Sequence, residues 1–420
     1  MKLRFLVAQN FLMQVLGRFI SSFSTFLITI LLARSYGATG YGDFTKMSVY
    51  ISVFYLIVDF GMNAAVLKKV HAQREQKEGL FSGLIILRSL LSALLIFISL
   101  AILSFLPYDP WQNEGFSPLV RFGIILLAPT ILTQGLITSF NAVFQDALRY
   151  EQSTLSILVG STVTLLCVYF LGQSGAPLPI TAFSFVVGGV VSVLVAYFLS
   201  RKFLSFRLSL GHLNRPLLRG IILSSLPLGI TLLFNTIHFR ADIFVLSVTR
   251  PTMEVGIYGL ATKFFEFALA IPTFFMNAVY PLLLTSLHNN DKKQWSRMIR
   301  ESALFLVSFS LLIVIAGYLF APFLVYIKDE FMASVLPFRI LVFTLPLFFL
   351  SSLFMWILIA QGKAWRLVWI YGIAMVVNVV LNIIFTPRFG YIAAAAITGV
   401  SEGVVLLLLG WNLRTLKFAS

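Results

Sequence analysis

The stretch that decides the fold is residues 11–33, FLMQVLGRFISSFSTFLITILLA, in which Arg18 is the only charged side chain. A helix of about 20 apolar residues crosses the hydrocarbon core of a bilayer. This block is too long for the core of a signal peptide and has no convincing cleavage site, so we expect an uncleaved first membrane span. The whole chain agrees, because 59% of its residues are hydrophobic and only 11% are charged.

The same apolar pattern recurs along the chain with short polar stretches between the blocks. Backbone in lipid must satisfy its own hydrogen bonds, so every span is predicted to be a helix. The sequence therefore predicts an all-α integral membrane protein with about twelve transmembrane helices. The predicted spans are 11–33, 39–65, 80–106, 118–144, 154–174, 179–200, 220–248, 256–285, 302–325, 335–359, 367–386 and 392–413. Prolines inside these spans tend to kink the helices: they are Pro129, Pro227, Pro272, Pro281 and Pro346.

Charge predicts the orientation of these spans. An even number of spans puts both termini on one side, and most of the 31 lysines and arginines fall on that side. The positive-inside rule then predicts a multi-pass protein of the cytoplasmic (inner) membrane with both termini cytoplasmic. The net charge of +15 is explained by this topology and by attraction to anionic membrane lipids, so we expect no nucleic-acid partner.

The chain divides into two halves with a short internal match. The longest cytoplasmic connection, Arg201–Arg219, separates a predicted N-terminal six-helix lobe, residues 1–207, from a predicted C-terminal six-helix lobe, residues 208–420. Tyr41-Gly-Asp-Phe-Thr-Lys46 in the first half matches Tyr258-Gly-Leu-Ala-Thr-Lys263 in the second. Internal repeats are common in transporters, so we favour a duplication over chance similarity between two apolar helices.

Several kinds of chemistry are not indicated. The sequence has no G-x-x-x-x-G-K-[ST] phosphate loop and no catalytic constellation, so we do not expect an enzyme. Cys167 is the only cysteine, and the four histidines lack the spacing of metal ligands. We therefore expect no metal and no cofactor. The histidines are His71, His212, His238 and His288. For His238 we favour an interfacial or packing role over a proton relay.

Charges inside the predicted spans are the candidates for function, because ionisable residues in a membrane are costly and mark pathways. Lys46 and Lys263 are each placed about 10 Å inside one face, by the helical rise. Arg240 is similarly deep and Glu266 is near the midplane, while Arg18 lies about two turns from a span end. One interpretation is a water-filled cavity with a cationic wall for a lipid phosphate or diphosphate. The alternative is structural pairing, since Lys263 and Glu266 are spaced i,i+3.

The remaining charges are expected to have other roles. Arg240 and Asp242, at i,i+2, do not face each other, so each needs another partner. Arg88 and Arg339 lie nearer span ends, and we expect their side chains to snorkel to water. Asp59 is placed near the cytoplasmic interface. Two further predictions concern hydrogen bonds to neighbouring helices: these involve Glu402 and the i,i+4 pair Asn378 and Asn382.

Six short motifs, taken in order, carry a resemblance. They are Leu31-Leu-Ala-Arg34, Gly37-Ala-Thr-Gly-Tyr-Gly42, Asp59-Phe-Gly61, Arg240-Ala-Asp242, Val255-Gly-Ile-Tyr258 and Ala261-Thr-Lys263. With these motifs the chain resembles the polysaccharide transporters, or Wzx-type lipid-linked oligosaccharide flippases, of the multidrug/oligosaccharidyl-lipid/polysaccharide (MOP, MATE-like) exporter superfamily. The resemblance covers essentially the whole chain.

The resemblance implies a fold and a function. Its members have two six-helix lobes in a V, and they move polyprenyl-diphosphate-linked oligosaccharides from the cytoplasmic to the periplasmic leaflet by alternating access. It implies a lipid-linked oligosaccharide as substrate, for O-antigen, capsule or exopolysaccharide, and leaves room for a polysaccharide polymerase or another pathway protein as partner. Two alternatives stay open: a cation-coupled multidrug exporter of the same superfamily, and a membrane scaffold without transport.

The resemblance also implies a site. By motif position, the residues expected to bind the diphosphate headgroup are Arg240 and Lys263. Lys46 is added through the internal repeat, and Arg18 is a further candidate. Asp242, Glu266 and Asp59 are the expected charge partners or ion-coupling residues.

Overall fold

The computed structural model describes residues 2–204, 215–289 and 291–414, and nearly all of these residues are helical. The helices are α1 (Lys2–Asp59), α2 (Met62–Ala72), α3 (Lys77–Leu103), α4 (Pro118–Leu127), α5 (Thr130–Asp146), α6 (Tyr150–Gln173), α7 (Leu178–Ser200), α8 (Arg215–Thr249), α9 (Thr252–His288), α10 (Lys292–Phe320), α11 (Val335–Phe343), α12 (Leu345–Ala360) and α13 (Ala364–Arg414). Short 3-10 helices cover Arg74–Gln76, Ala321–Tyr326 and Asp329–Ser334. The two-residue strands β1 (Tyr108–Asp109) and β2 (Glu114–Gly115) form a small hairpin, and the predicted all-α class is confirmed.

The number of membrane crossings also agrees with the prediction. Among the described residues, 10 helical stretches are long and apolar enough to cross a membrane. Two of them, Ser21–Ala72 and Ala364–Leu413, are 52 and 50 residues long, more than twice the length of one crossing. Each is interrupted at a glycine with a left-handed φ, 69° at Gly37 and 63° at Gly390. Counting each long stretch as two crossings gives about twelve.

Prolines break two of the predicted spans. The span predicted at 118–144 is divided into α4 and α5, with Pro129 directly before α5. The span predicted at 335–359 is divided into α11 and α12, with Pro346 in the first turn of α12. Pro272 and Pro281, by contrast, lie inside the continuous helix α9. A proline removes one backbone donor, so the neighbouring packing decides whether the helix stops or continues.

The chain forms two compact units. Unit 1 comprises Met1–Tyr36, Asp43–Pro110 and Gly115–Leu233, and unit 2 comprises Gly37–Gly42, Trp111–Glu114 and Phe234–Ser420. The lobe boundary predicted at residues 207 and 208 falls outside the described residues, so the division into lobes of residues 1–207 and 208–420 stays a prediction.

Unit 1 is held together by a buried apolar cluster and by closely packed helices. Val66, Val70 and Phe81 are fully buried in the cluster. A Cβ atom added at Gly160 of α6 would lie 2.4 Å from the carbonyl oxygen of Gly188 in α7. Small residues let transmembrane helices approach closely and gain van der Waals contact. The contact between α6 and α7 therefore depends on glycine at both positions.

Unit 2 has its own core and its own close approach. Leu358 of α12 packs with Ala374 and Val405 of α13, all fully buried. A Cβ atom at Gly256 of α9 would lie 1.8 Å from the carbonyl oxygen of Ala38. Gly256 thus allows the segment Gly37–Gly42 to pack directly on the start of α9. The same helix, α9, carries Lys263 and Glu266.

Candidate functional site

The most concentrated group of charges in unit 2 is centred on Glu266 of α9. Its Oε1 accepts a hydrogen bond from Arg240 Nη1 of α8 at 2.7 Å, and its Oε2 accepts one from Lys263 Nζ at 2.8 Å. The side chains are partly exposed, by 24% for Arg240 and 30% for both Lys263 and Glu266. We call these three residues the Glu266 cluster.

The Glu266 cluster carries one more positive than negative charge. Among the described residues, Glu266 is the only hydrogen-bond partner of either Arg240 or Lys263. A guanidinium has five N–H donors and an ammonium has three, so most of these donors have no hydrogen-bond partner among the described residues. Partial exposure, net positive charge and spare donors together make this an arrangement that can accept an anion.

The pairing expected from the spacing of Lys263 and Glu266 is confirmed, and Arg240 is a second cation bound to the same carboxylate. The i,i+3 spacing brings the two side chains together on one face of α9. The expectation that Arg240 needs a partner other than Asp242 is also confirmed, because it donates to Glu266. That Glu266 is shared by both cations follows from the packing of α8 on α9, which local spacing does not reveal.

Asp242 is built into the interior of unit 2. It is buried, its Oδ1 accepts the backbone N–H of Ile243 at 2.7 Å, and its Oδ2 accepts the hydroxyl of Tyr258 at 2.5 Å. The hydroxyl of Thr398 is 3.4 Å from the same oxygen. Asp242 is therefore partnered by neutral donors from three helices, α8, α9 and α13.

A chain of buried hydrogen bonds continues from Thr398 along α13. Ser401 donates to the Thr398 carbonyl at 3.1 Å, and Asn378 Nδ2 donates to Ser401 Oγ at 2.9 Å. Asn382 Nδ2 lies 3.1 Å from Asn378 Oδ1. Because Asn378 and Ser401 lie on opposite sides of the break at Gly390, the prediction of a hydrogen bond to a neighbouring span is confirmed for Asn378. The hydrogen bonds given for Asn382 stay within its own span, to Asn378 and Thr386.

Lys46 lies in unit 1, in surroundings unlike those of Lys263. Its side chain is in α1 and the residue is only 1% exposed. Its Nζ donates to the carbonyl oxygen of Gly115 at 2.7 Å, in the hairpin between α3 and α4. The neighbouring Phe116 N–H donates to the Pro107 carbonyl at 2.8 Å and closes the hairpin. The ammonium of Lys46 thus holds this hairpin against α1.

Arg88 of α3 is the charged residue whose role the sequence did not indicate. The prediction that it snorkels to water is wrong, because it is fully buried. Its guanidinium donates to Asp59 Oδ1 at 2.9 Å, to Asn63 Oδ1 at 2.7 Å, to Ser139 Oγ at 3.3 Å and to the carbonyls of Val58 and Asp59. It therefore occupies the end of α1, where the last carbonyls have no helical partner.

Asp59 forms an ion pair with Arg88. The motif Asp59-Phe-Gly61 is the break between α1 and α2, and its last two residues have φ angles of 37° and 69°. Left-handed φ is unfavourable for a phenylalanine, so surrounding contacts must hold it. Arg88, bonded to both sides of the break, supplies part of that restraint.

Two other charged residues considered from the sequence are Arg18 and Arg339. Arg18 lies in α1, but its side chain is outside the described part of the chain. Arg339 was expected to snorkel, but it is half-buried with its guanidinium 4.0 Å from the ring centre of Tyr318. Stacking on an aromatic face compensates part of the cost of placing a cation there.

The described residues contain no group of three or more histidine, cysteine, aspartate or glutamate side chains that could hold a metal ion.

The chain is similar to known proteins in sequence. The family described as "Polysaccharide biosynthesis protein" matches residues 7–287, and the family described as MatE matches residues 227–384. No curated protein matches the sequence significantly.

The fold is also similar to solved structures. An inward-facing multidrug resistance MATE family transporter of the MOP superfamily is 15% identical, with a TM-score of 0.78 over 99% of both chains. The lipid II flippase MurJ, in an inward closed conformation, is 15% identical with a TM-score of 0.77, covering 96% of this chain and 87% of that chain. A MOP superfamily transporter from Pyrococcus furiosus, whose binding pocket is described as reversed in polarity, is 12% identical with a TM-score of 0.68 over 98% and 95% of the chains. The MATE-like fold is confirmed.

Proposed function

Because the chain belongs to the polysaccharide biosynthesis protein family, we propose that it is a flippase for a polyprenyl-diphosphate-linked oligosaccharide. It moves an O-antigen, capsule or exopolysaccharide repeat unit from the cytoplasmic to the periplasmic leaflet by alternating access. The likeness in fold to a lipid II flippase supports this substrate class. The proposed role is transport, with no covalent chemistry on the substrate.

The Glu266 cluster is the observation that carries this proposal. A lipid diphosphate is a membrane-borne anion, and its headgroup must cross a region in which charge is costly. Arg240 and Lys263 supply fixed positive charge on the central parts of α8 and α9, with donors that no described residue uses. Such donors are strongest when both partners are ionised.

Glu266 allows the site to release the diphosphate headgroup. Without substrate, its carboxylate neutralises one of the two cations. A diphosphate is multiply charged and competes with Glu266 for the same N–H groups. When the headgroup leaves, Glu266 again pairs with Arg240 and Lys263, so the empty site does not retain two uncompensated charges. Binding is thereby strong enough to load the site and weak enough to unload it.

Arg240 and Lys263 form the proposed centre of the headgroup site, and the other predicted members remain to be tested. Lys46 would first have to leave the Gly115 carbonyl. Arg18 is proposed from its depth in the sequence alone. Asp242, with its hydroxyl partners, is the proposed ion-coupling carboxylate.

We place the protein in the cytoplasmic (inner) membrane with both termini cytoplasmic, on the distribution of its lysines and arginines. Membrane lipids surround it, the lipid-linked oligosaccharide is its substrate, and a polysaccharide polymerase or another protein of the pathway receives the product. Reporter fusions near Trp111 and at Ser420 test the topology, and a periplasmic signal from Ser420 would contradict it.

A cation-coupled multidrug exporter is the second candidate, favoured by the match of the MatE family to residues 227–384. A site for cationic drugs needs net negative charge. The Glu266 cluster has the opposite sign, which favours the anionic lipid.

A deletion strain distinguishes the two candidates. Loss of a flippase blocks transfer but leaves synthesis intact, so lipid-linked repeat units should accumulate on the cytoplasmic leaflet. Complementation with the wild-type chain should clear them. If the units are never assembled, the protein takes part in synthesis. If they are transferred normally while the strain becomes sensitive to cationic drugs, the exporter function is correct.

A further inference from the structure

A second group of ionisable side chains lies deep in unit 2, apart from the Glu266 cluster. His238 of α8 and Glu402 of α13 are both 3% exposed, and their Nε2 and Oε2 atoms are 3.7 Å apart. The other carboxylate oxygen of Glu402 accepts a hydrogen bond from the hydroxyl of Ser351 in α12. The prediction that Glu402 bonds to a neighbouring helix is confirmed, and His238 is its unexpected second partner.

Both residues lie near the middle of the bilayer. By the helical rise, His238 is about 17 Å from Thr249 at the end of α8, and Glu402 is about 18 Å from the break at Gly390. The hydrocarbon core is about 30 Å thick, so neither group is near an interface. The rings of Phe239 and Phe348 continue the apolar surroundings, with the His238 and Phe239 ring centres 5.5 Å apart.

Among the described residues, no other charged side chain forms an ion pair with His238 or Glu402. Arg240 and Lys263 share Glu266, Asp242 is bonded to hydroxyl and backbone donors, and Arg339 stacks on Tyr318. Helix α12 has no charged residue. The ionisable side chains on the central parts of the helices packed here are Arg240 and Asp242 on α8, Tyr258, Lys263, Glu266 and Tyr280 on α9, Arg339 on α11, and Tyr371 on α13.

Charge balance then decides how many protons the pair holds. With no proton, Glu402 is a buried anion beside a neutral imidazole. With two protons, His238 is a buried cation beside a neutral acid. An unpaired ion at this depth is costly, whereas one proton gives either an ion pair or a neutral pair. We infer that His238 and Glu402 form a proton-binding site, which holds one proton shared between them and is separate from the Glu266 cluster.

The geometry also indicates that this proton is exchanged. The distance of 3.7 Å is longer than a hydrogen bond, and His238 Nδ1 is buried without a hydrogen-bond partner among the described residues. Buried polar atoms are nearly always paired, so an unpaired one needs a reason. Entry of water beside Nδ1, or closure of the gap to Glu402, changes the affinity for the proton. A transporter that alternates between conformations can load and release a proton in this way.

The test counts protons on the pair at about pH 8 in the full-length protein in detergent. An exposed histidine and glutamate hold none there, since their usual pKa values are about 6.5 and 4.3. Nitrogen NMR of labelled histidine detects an imidazolium, and the carboxyl infrared band detects a protonated acid. We expect the wild type to show one of these two signals. If it is the imidazolium signal, His238→Gln should remove it. If it is the acid signal, Glu402→Gln should remove it. The matched controls are the exposed residues His71 and Glu301, whose substitution by Gln should leave the signal of the pair unchanged.

A milder variant keeps the test decisive if the Gln variants do not accumulate. Ser351→Ala retains both groups but removes the hydroxyl that stabilises the Glu402 carboxylate. We expect the count to remain one proton, with the acid signal increased relative to the imidazolium signal. The absence of both signals in the wild type, or the presence of both at full strength, would overturn the inference.

Discussion

The two matched segments, Tyr41–Lys46 and Tyr258–Lys263, place a lysine at the same point of the motif but in different surroundings. Lys46 is 1% exposed and donates to a backbone carbonyl at 2.7 Å. Lys263 is 30% exposed and donates to the carboxylate of Glu266 at 2.8 Å. The acidic neighbour also differs, since Asp43 precedes Lys46 by three residues and Glu266 follows Lys263 by three.

The difference separates cations that build the fold from cations that can bind a ligand. Lys46 and Arg88 in unit 1 are buried, and protein acceptors bind both. Arg240 and Lys263 in unit 2 are partly exposed and share one carboxylate. A sequence match thus fixes the position of a side chain along a helix. Its function depends on the groups that surround it in the fold.

The largest expected effect is on a structural cation. Arg88→Met leaves Asp59 and two carbonyls at the end of α1 without their buried donor. Each buried acceptor left without a donor costs about 1–3 kcal/mol, so the two carbonyls together cost about 2–6 kcal/mol. The free energy of unfolding, measured in detergent, should fall by that amount. Arg297→Met, which breaks the exposed pair with Glu301, is the control and should change it by less than about 0.5 kcal/mol. Equal effects of the two substitutions would show that Arg88 is not structural.

The next effect concerns the ligand-binding cations. Arg240→Ala and Lys263→Ala each remove charge-assisted hydrogen bonds to the headgroup, worth about 1.5–3 kcal/mol. The affinity for inorganic pyrophosphate, measured by calorimetry, should fall about 10–100-fold in each variant. The variants should still insert and accumulate, because both side chains are partly exposed.

A double substitution separates binding from mere pairing. If Lys263 only neutralises Glu266, then Glu266→Ala should restore what Lys263→Ala loses. We expect no restoration, because the cation that meets the headgroup is still missing. Glu266→Ala alone should bind pyrophosphate at least as tightly as the wild type, since the competing carboxylate is gone. Full recovery in the double variant would refute the headgroup site.

Lys46→Met tests whether Lys46 stabilises the fold and does not bind the headgroup. It leaves the Gly115 carbonyl without its donor, at a cost of about 1–3 kcal/mol in the free energy of unfolding. The affinity for pyrophosphate should change less than in Lys263→Ala, because the ammonium of Lys46 is already used by the hairpin. Unchanged stability together with a large loss of affinity would instead place Lys46 in the headgroup site.

The smallest effect is expected for Lys263→Arg. It keeps the positive charge and lengthens the side chain, and a diphosphate needs fixed charge more than one donor geometry. The affinity for pyrophosphate should therefore fall by less than about tenfold, or 1.4 kcal/mol. A loss as large as that of Lys263→Ala would show that the shape of the ammonium, and not its charge, decides binding.

The sequence was sufficient for features that depend on local pattern. Span length and apolar content predict about twelve crossings, and the gaps between the predicted spans at 33–39 and 386–392 contain the breaks at Gly37 and Gly390. The i,i+3 spacing predicts that Lys263 meets Glu266 on one helix face. Each of these features involves residues close in the chain.

Partners from distant helices were not predictable in the same way. Arg88 and Asp59 lie on different helices, and depth alone made Arg88 look like a snorkelling residue. Three other contacts also join residues that are distant in the chain. They are the bond of Lys46 to the hairpin carbonyl, the sharing of Glu266 with Arg240, and the pairing of His238 with Glu402. In each case the packing of helices selects the partner, and hydrophobic periodicity contains no information about that choice.

The central claim is that Arg240 and Lys263 bind the diphosphate of a lipid-linked oligosaccharide during its transfer across the membrane. It is tested most directly by reconstituting the purified protein in vesicles and measuring the transfer of a fluorescent polyprenyl-diphosphate-linked saccharide between leaflets. The wild type and the control Arg297→Ala should both accelerate transfer, and the double variant of Arg240→Ala with Lys263→Ala should lose most of this acceleration. Equal transfer by the double variant, or movement of a cationic dye but not of the lipid by the wild type, would contradict the account.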